Sequence, residues 1–351
     1  MSFSAQKSIW HFGLLPSLLL GITLLFPLEL LGAEQVAPQP EQPAPTAEQV
    51  VPQIQKSDRF NSMEAPRDYM SGKIAHFANY IDNFFGNDRH YQESNQSVVQ
   101  MDLTKLNGYG SDHKFDLATR VNLSLPKTEG RLRLLVETDP ENNITDQPIP
   151  GLIPTQGSTV ITNKVVVPGS LALAARYATA KEDVWNFHTD WGIKFPLPPK
   201  PFVRARGSFS YPLGEWRMKA IQSVYWFNTL GAGETTELDL EHFLSKPGLF
   251  RATTTVTWLN DTQNFDMRQD LSIYQTKNDR TALLYQASAI GISNPQYQMT
   301  DFVVLLLYRY RMHEQWLFFE LSPQLHFPRD RQYQYSPAIN VRLEVLFDES
   351  R

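Results

Sequence analysis

The sequence predicts an all-β protein, an antiparallel transmembrane β-barrel of about 14 strands with a range of roughly 12 to 16. The first observation is a succession of segments, from residue 96 to residue 347, in which every second residue is apolar. In one of them Leu117, Val121 and Leu123 alternate with polar neighbours. Successive side chains of a strand point to opposite faces, so each segment has one apolar face and one polar face.

The second observation is the length of these segments, about 10 to 13 residues, which suffices to cross a bilayer at a tilt. A two-sheet sandwich would show the same alternation in shorter repeats around a closed core. The mean hydropathy of −0.35 does not argue against a membrane protein, because only half of each barrel strand is apolar. We therefore predict a barrel in the outer membrane of a Gram-negative bacterium.

The candidate strands follow one another without interruption by a second domain. They lie at residues 96–106, 113–125, 130–138, 168–179, 184–195, 201–211, 215–228, 233–244, 249–259, 264–276, 280–292, 298–311, 315–326 and 336–347. Their even number places both chain termini in the periplasm. Tryptophans near the strand ends predict two aromatic girdles, formed by Trp185, Trp216, Trp226, Trp258 and Trp316.

The N-terminus has the features of a secretory signal peptide over residues 1–33. Lys7 precedes an apolar run, residues 13–31, which closes on the small-residue sequence Leu-Gly-Ala. The alternative is a retained membrane helix, but prolines and a glutamate interrupt the run. We expect cleavage after Ala33.

Two further segments precede the barrel, which occupies residues 96–351. Residues 34–55 form a Pro-rich linker that cannot bury a core, and it is either a disordered leader, a periplasmic spacer or a ligand for a partner. Residues 56–95 contain one predicted amphipathic helix on the periplasmic side. Its apolar side chains recur at helical spacing and include Ile74, Phe77, Ile81 and Phe84.

Composition argues against several classes of function. The formal net charge of −5 gives no basic excess for nucleic acid, and the absence of cysteine rules out disulfides and thiolate metal sites. We predict no cofactor, no metal site and no catalytic residue. An outer-membrane phospholipase would need a Ser–His pair, but the short spacing of Ser111 and His113 is common by chance. His188 is predicted to point inward, away from lipid.

Several motifs resemble a family of uncharacterised proteobacterial outer-membrane β-barrel proteins. They are IDNFFGNDR (81–89), PKTEGRLRLLVET (126–138), PPKPFVRARGSF (198–209), GETTELDL (233–240), LFFELSPQLHFPRD (317–330) and VRLEVLF (341–347). The resemblance covers residue 81 to the C-terminus and implies location and architecture but no substrate. The last strand also resembles the signal that the barrel assembly machinery reads, although Asp348 to Arg351 follow it.

The predicted interior is strongly charged, because an Arg or Lys that faces the middle of a bilayer costs about 2–4 kcal/mol. A basic wall is predicted from Arg204, Arg206, Arg217 and Lys219, and an acidic wall from Glu237, Asp239 and Glu241. Two interpretations remain open. The walls set up a field across a water-filled pore that filters solutes by charge, or the charges pair and close the lumen.

Two late segments are apolar on both faces, and an inward apolar patch needs a cover. In residues 298–311, Val303 and Leu305 alternate with Val304 and Leu306. The cover is either the predicted helix, acting as a plug, or another barrel or partner protein.

The sequence therefore favours a channel or passive transport protein with a charged lumen, surrounded by outer-membrane lipid. The alternative is a closed structural barrel or assembly partner with residues 34–95 as its periplasmic handle. A lipid-modifying enzyme is a weaker alternative.

Overall fold

A computed structural model gives the structure of the protein. It describes residues 80, 81, 84, 97–109, 111–125, 128, 131–143, 170–179, 184–195, 198–245, 248–313 and 316–348. The predicted signal peptide, the Pro-rich linker and most of the predicted helix, including Ile74 and Phe77, lie outside these residues. Tyr80, Ile81 and Phe84 have helical backbone. No helix in the described part of the chain has the length and apolar character that a membrane span requires.

Fourteen antiparallel strands form one closed barrel, as predicted. Each strand pairs with its neighbours in the chain, and β14 pairs with β1 to close the cylinder. The strands are β1 (Val98–Gly108), β2 (Ser111–Ser124), β3 (Leu132–Thr138), β4 (Leu171–Ala178), β5 (Trp185–Phe195), β6 (Lys200–Leu213), β7 (Trp216–Phe227), β8 (Gly231–Ser245), β9 (Gly248–Leu259), β10 (Asn264–Asn278), β11 (Thr281–Ile292), β12 (Gln298–His313), β13 (Leu317–His326) and β14 (Ser336–Asp348). The predicted boundaries lie within three residues of these, and the largest difference is at the start of β4.

The seam between β1 and β14 is paired along the whole of β1. Its register runs from Val98 opposite Asp348 to Gly108 opposite Ala338. Gly108 has a φ of 107°, and a Cβ at this position would lie 2.4 Å from the carbonyl oxygen of Pro337, so the last pair of the seam requires glycine. Closure leaves the sheet without an exposed edge.

Connections alternate between the two ends of the barrel because neighbouring strands are antiparallel. We call the end that carries Val98 and Asp348 the terminal end, and the opposite end the loop end. Gly214, with a φ of 65°, makes the tight turn between β6 and β7 at the terminal end. The loop end carries two short 3-10 helices, Pro140–Asn143 after β3 and Arg329–Arg331 before β14.

The two faces of the wall differ in the way that a lipid-embedded barrel requires. Outward side chains are large and apolar, as with Leu103 at 48% exposure and Trp191 at 52% exposure. Many inward side chains are polar and buried, as with Asp102. Soluble proteins bury mainly apolar side chains, so this distribution is reversed relative to theirs.

Aromatic rings gather near the ends of the strands. At the terminal end, the ring centroids of Trp185 and Phe209 lie 4.5 Å apart, and those of Trp316 and Phe347 lie 6.0 Å apart. Trp226 is exposed near the loop end. Amphipathic rings at these two levels match the positions of lipid headgroups on either side of a bilayer.

Candidate functional site in the barrel lumen

The residues of the two predicted walls all belong to the inner face of the barrel. Each alternates with an outward apolar or small side chain, which is the pattern that predicted its direction. Their side chains are buried, except for a half-buried Arg217, and the set is Arg204, Arg206, Arg217, Lys219, Glu237, Asp239 and Glu241. The walls therefore face the lumen, and their partners decide what they do there.

The acidic side chains of β8 lie beside basic side chains on both neighbouring strands. Arg217 on β7 is opposite Glu241, and their charged groups are 2.5 Å apart. Arg251 on β9 binds the other oxygen of Glu241 at 2.7 Å. Lys219 is opposite Asp239 in the same register. Arg217, Glu241 and Arg251 therefore form a chain of ion pairs across three neighbouring strands.

Arg204 is the centre of a second group of buried ion pairs. Its Nε donates to Asp190 at 2.5 Å, and its Nη2 donates to Glu137 at 2.7 Å. Arg176 donates two hydrogen bonds to Asp190, at 2.7 and 2.9 Å. Arg204 on β6 reaches Glu137 on β3 across β5 and β4, and β4 presents mostly alanines to the lumen. The group thus links four consecutive strands.

A third group of ion pairs crosses the seam. Arg309 on β12 binds Glu344 at 2.8 Å and also pairs with Glu320 on β13. Arg342 on β14 donates to Asp102 on β1 at 3.1 Å and contacts both glutamates as well. Breaking a buried pair leaves an uncompensated charge, so this group resists opening of the seam.

The helical residues Ile81 and Phe84 lie inside the barrel. They are buried, at 0% and 2% exposure. The Phe84 ring meets Phe318 at 6.2 Å between centroids, and the guanidinium of Arg311 lies 5.2 Å from the Phe84 centroid. Their apolar cluster also contains Leu249, Tyr274, Ala282, Leu284, Val303, Leu305 and Leu307. The helix therefore contacts the inner face of β12, one of the strands that are apolar on both faces.

The connection after β3 begins with a segment that reaches over the loop end of β5 to β7. This segment is the short 3-10 helix Pro140–Asn143. Glu141 forms an ion pair with Lys194 on β5, and the hydroxyl of Thr229, just after β7, donates to the same carboxylate at 2.7 Å. Arg204 donates to the carbonyl oxygen of Pro140 at 3.4 Å. Three contacts thus hold this 3-10 helix at the loop end of the lumen.

The carboxylate of Glu141 is kept in its charged form. Burial pushes the pKa of Glu141 upward, but hydrogen bonds from Lys194 and Thr229 outweigh this effect and hold that pKa below its usual value. Sequence spacing could not predict the contact, because Glu141 and Lys194 are 53 residues apart and one of them lies in a connection without periodicity.

Two aromatic side chains at the loop end lie on glycine positions of neighbouring strands. A Cβ at Gly192 would lie 2.4 Å from the Phe202 ring, and a Cβ at Gly233 would lie 2.5 Å from the Tyr225 ring. Phe202 also stacks on Phe227, with centroids 5.1 Å apart and planes at 15°. Aromatic rings that cover glycines in this way help to fix the register between neighbouring strands. They belong to a second inner apolar cluster, formed by residues of β3, β4, β6 and β7.

The residues considered for catalysis are separated from the lipid-facing surface or lie outside the described side chains. His188 is buried on the inner face, as predicted. The side chains of Ser111 and His113 are not among those described. Within the described ranges, no group of three or more His, Cys, Asp and Glu residues is placed to hold a metal ion.

Comparison with solved structures finds outer-membrane barrels. The structure is similar to the outer membrane channel DcaP of Acinetobacter baumannii, with 10% identity, a TM-score of 0.40, and coverage of 72% of this chain and 96% of that chain. It is also similar to OprB of Pseudomonas putida, with 8% identity, a TM-score of 0.43, and coverage of 72% and 94%. A third is a loop-deletion mutant of OmpT of Vibrio cholerae, with 9% identity, a TM-score of 0.42, and coverage of 72% and 98%. At these values the likenesses carry no information about function.

No protein-family model matches the chain, and no curated protein matches it. The resemblance to a family of proteobacterial outer-membrane proteins therefore stays a prediction.

Proposed function

We propose that this protein is an outer-membrane barrel that acts as a plugged passive channel for small polar solutes. The observation that carries the proposal is the wall, whose outward side chains are apolar and whose inward side chains are largely charged or polar. An apolar exterior is stable when lipid surrounds it, and a charged interior suits water and polar solutes. The outer membrane of a Gram-negative bacterium is the location that fits a closed antiparallel barrel.

The terminal end is proposed to face the periplasm. The support is that Val98 and Asp348, the outer ends of the first and last strands, lie at the same end of the barrel. A chain that is exported by a signal peptide and inserted from the periplasm would retain its termini there.

In the proposed resting state, the helix that contains Ile81 and Phe84 closes the lumen. The support is its burial against Phe318 and the inner face of β12. Inward charges on distant strands, such as Arg204 and Asp239, are buried too, which supports a filled lumen. Departure of the helix would expose apolar wall to water, so the plug is held mainly by the hydrophobic effect.

The test is single-channel conductance in planar bilayers. The mature protein, starting after residue 33, is compared with a variant that starts near Gln92 and lacks the helix. A control variant lacks only residues 34–55 and keeps the helix. We expect steady conductance from the shorter chain and closed behaviour from the other two. Steady conductance from all three would show that the helix does not close the pore. No conductance from any of the three, in protein shown to be folded by heat-dependent gel mobility, would overturn the proposal of a channel.

A closed structural barrel that binds a periplasmic partner is the second candidate. The seam group favours it, because Arg309 and Arg342 bind buried carboxylates on β13, β14 and β1 and can hold that side of the lumen shut without the helix. Capture of one defined periplasmic partner through residues 34–95, together with a silent truncated barrel, would favour this function over the channel.

A further inference from the structure

The loop end of the lumen holds two lysines side by side. Lys194 on β5 is directly opposite Lys200 on β6, and Lys200 shares the inward face of Phe202 and Arg204. Like charges directly opposite one another destabilise a sheet. Among the described residues, Lys194 pairs with Glu141. Two positively charged residues therefore face each other on adjacent strands at this position.

The side chains that bind the carboxylate of Glu141 belong to β5 and to the connection after β7. Lys194 and Thr229 contact the same oxygen of Glu141. Glu141 itself belongs to the connection after β3 and not to a strand. The donors are therefore fixed by the sheet, whereas the acceptor is supplied by a separate segment.

The surroundings of the lysine pair strengthen charge-assisted hydrogen bonds. Phe202 is two residues from Lys200 on the same inward face of β6, and it stacks on Phe227, which is buried as well. Apolar neighbours lower the local dielectric, which makes a bond between an ammonium and a carboxylate stronger than in water. The side chains of Lys194 and Glu141 keep 13% and 14% exposure, so a small molecule has access to their edges.

We propose that Lys194, Lys200 and Thr229 form a carboxylate-binding site at the loop end, which Glu141 occupies in this structure. A small organic carboxylate binds there by exchanging with the Glu141 side chain. The proposal deepens the proposed function, because it makes this site the first contact for a solute that enters the lumen. Binding itself requires no conductance, so the two proposals can fail separately.

The test measures how fast an amine-specific reagent labels Lys194, read by mass spectrometry of its peptide in the folded, full-length protein. In Glu141→Gln, labelling is expected to be faster than in the unchanged protein, because the ion pair is gone. Glucuronate should then slow the labelling, by about threefold at a concentration of twice its dissociation constant, whereas neutral glucose should not. The internal reference is Lys277, an exposed residue near the terminal end, whose labelling should not respond.

Two further variants keep the proposal falsifiable. Thr229→Val, added to Glu141→Gln, should weaken the protection by glucuronate, because it removes a donor to the carboxylate. If Glu141→Gln does not fold by the gel-mobility criterion, Glu141→Asp replaces it and should show intermediate protection, because its shorter side chain competes less well. Equal effects of glucuronate and glucose, or no effect of either, would mean that Glu141 only fastens the connection to the wall.

Discussion

Phe84 and Phe318 meet edge to face, with their ring centroids 6.2 Å apart and their planes at 80°. The guanidinium of Arg311 lies over both rings, 5.2 Å from the first centroid and 5.6 Å from the second. Edge-to-face pairs contribute about 0.5–1.5 kcal/mol beyond the burial of their area, and a cation over a ring adds about 0.5–2 kcal/mol, more when it is desolvated. Phe84 is therefore the main anchor of the helix among its described residues.

Phe84→Ala should release the helix from the lumen. Loss of a buried phenylalanine costs about 3–5 kcal/mol, and here that cost falls on helix docking and not on the strands. We expect frequent opening events in planar bilayers, approaching the behaviour of the chain that starts near Gln92. Tyr80→Ala is the matched control, because Tyr80 is 40% exposed on the same helical segment. Equal opening in the two variants would contradict the anchoring role of Phe84.

Arg204→Met should destabilise the barrel strongly. The change removes the hydrogen bonds that Glu137 and Asp190 accept in the lumen, and breaking one partner of a buried ion pair costs about 3–5 kcal/mol. The measurement is the free energy of unfolding in urea, with the protein refolded in lipid vesicles. Adding Glu137→Gln should recover part of the loss, because Asp190 keeps Arg176 as a partner. Unchanged stability of the single variant would show that the group is not a structural element.

Gly192→Ala should be destabilising, whereas Gly207→Ala should be nearly neutral. A Cβ at Gly192 would lie 2.4 Å from the Phe202 ring and 2.7 Å from the Cβ of Ala174, but a Cβ at Gly207 has no neighbour closer than 3.7 Å. Forcing an extra methyl into a packed site costs about 1–3 kcal/mol. The same unfolding measurement separates the two variants. A similar loss at both positions would indicate a backbone effect instead of a clash with Phe202.

The contribution of Glu141 to stability should depend on pH. Its folded-state pKa lies below the usual value, so its ion pair stabilises the protein above the pKa of the unfolded chain. That contribution is lost as the pH falls through the lowered folded pKa. The difference in unfolding free energy between the unchanged protein and Glu141→Gln should thus be constant near neutral pH and shrink in acid below the ordinary range of glutamate. A difference that grows on acidification would have the wrong sign.

Alternation was enough to predict the strands. In β2, Leu117 and Leu123 must face lipid while Asn122 cannot, and a slip of one residue would reverse every side chain. The same argument predicted the inward direction of residues such as Lys219 and Glu241. Short turns fix the register between consecutive strands. The pairing of Arg217 with Glu241 could therefore also be predicted from the sequence.

Contacts between strands that are not consecutive could not be predicted. Arg204 reaches Glu137 across two strands, and this depends on the curvature of the closed wall and on the small side chains of β4. The position of Glu141 depends on the path of a connection that has no hydrophobic period. In both cases alternation shows which side of the wall a residue faces, but not which residue it meets there.

Asp102 and Arg342 are 240 residues apart in the chain, yet they meet across the seam. Such a contact constrains the order of assembly. The edge of β1 cannot pair with β14 until the last residues of β14 have been synthesised and exported. An unpaired edge cannot persist in hydrocarbon, so both edges need a pairing partner until the seam closes. A chain that loses β14 would therefore leave both β1 and β13 with an unpaired edge, so the loss would not be confined to one strand in fourteen.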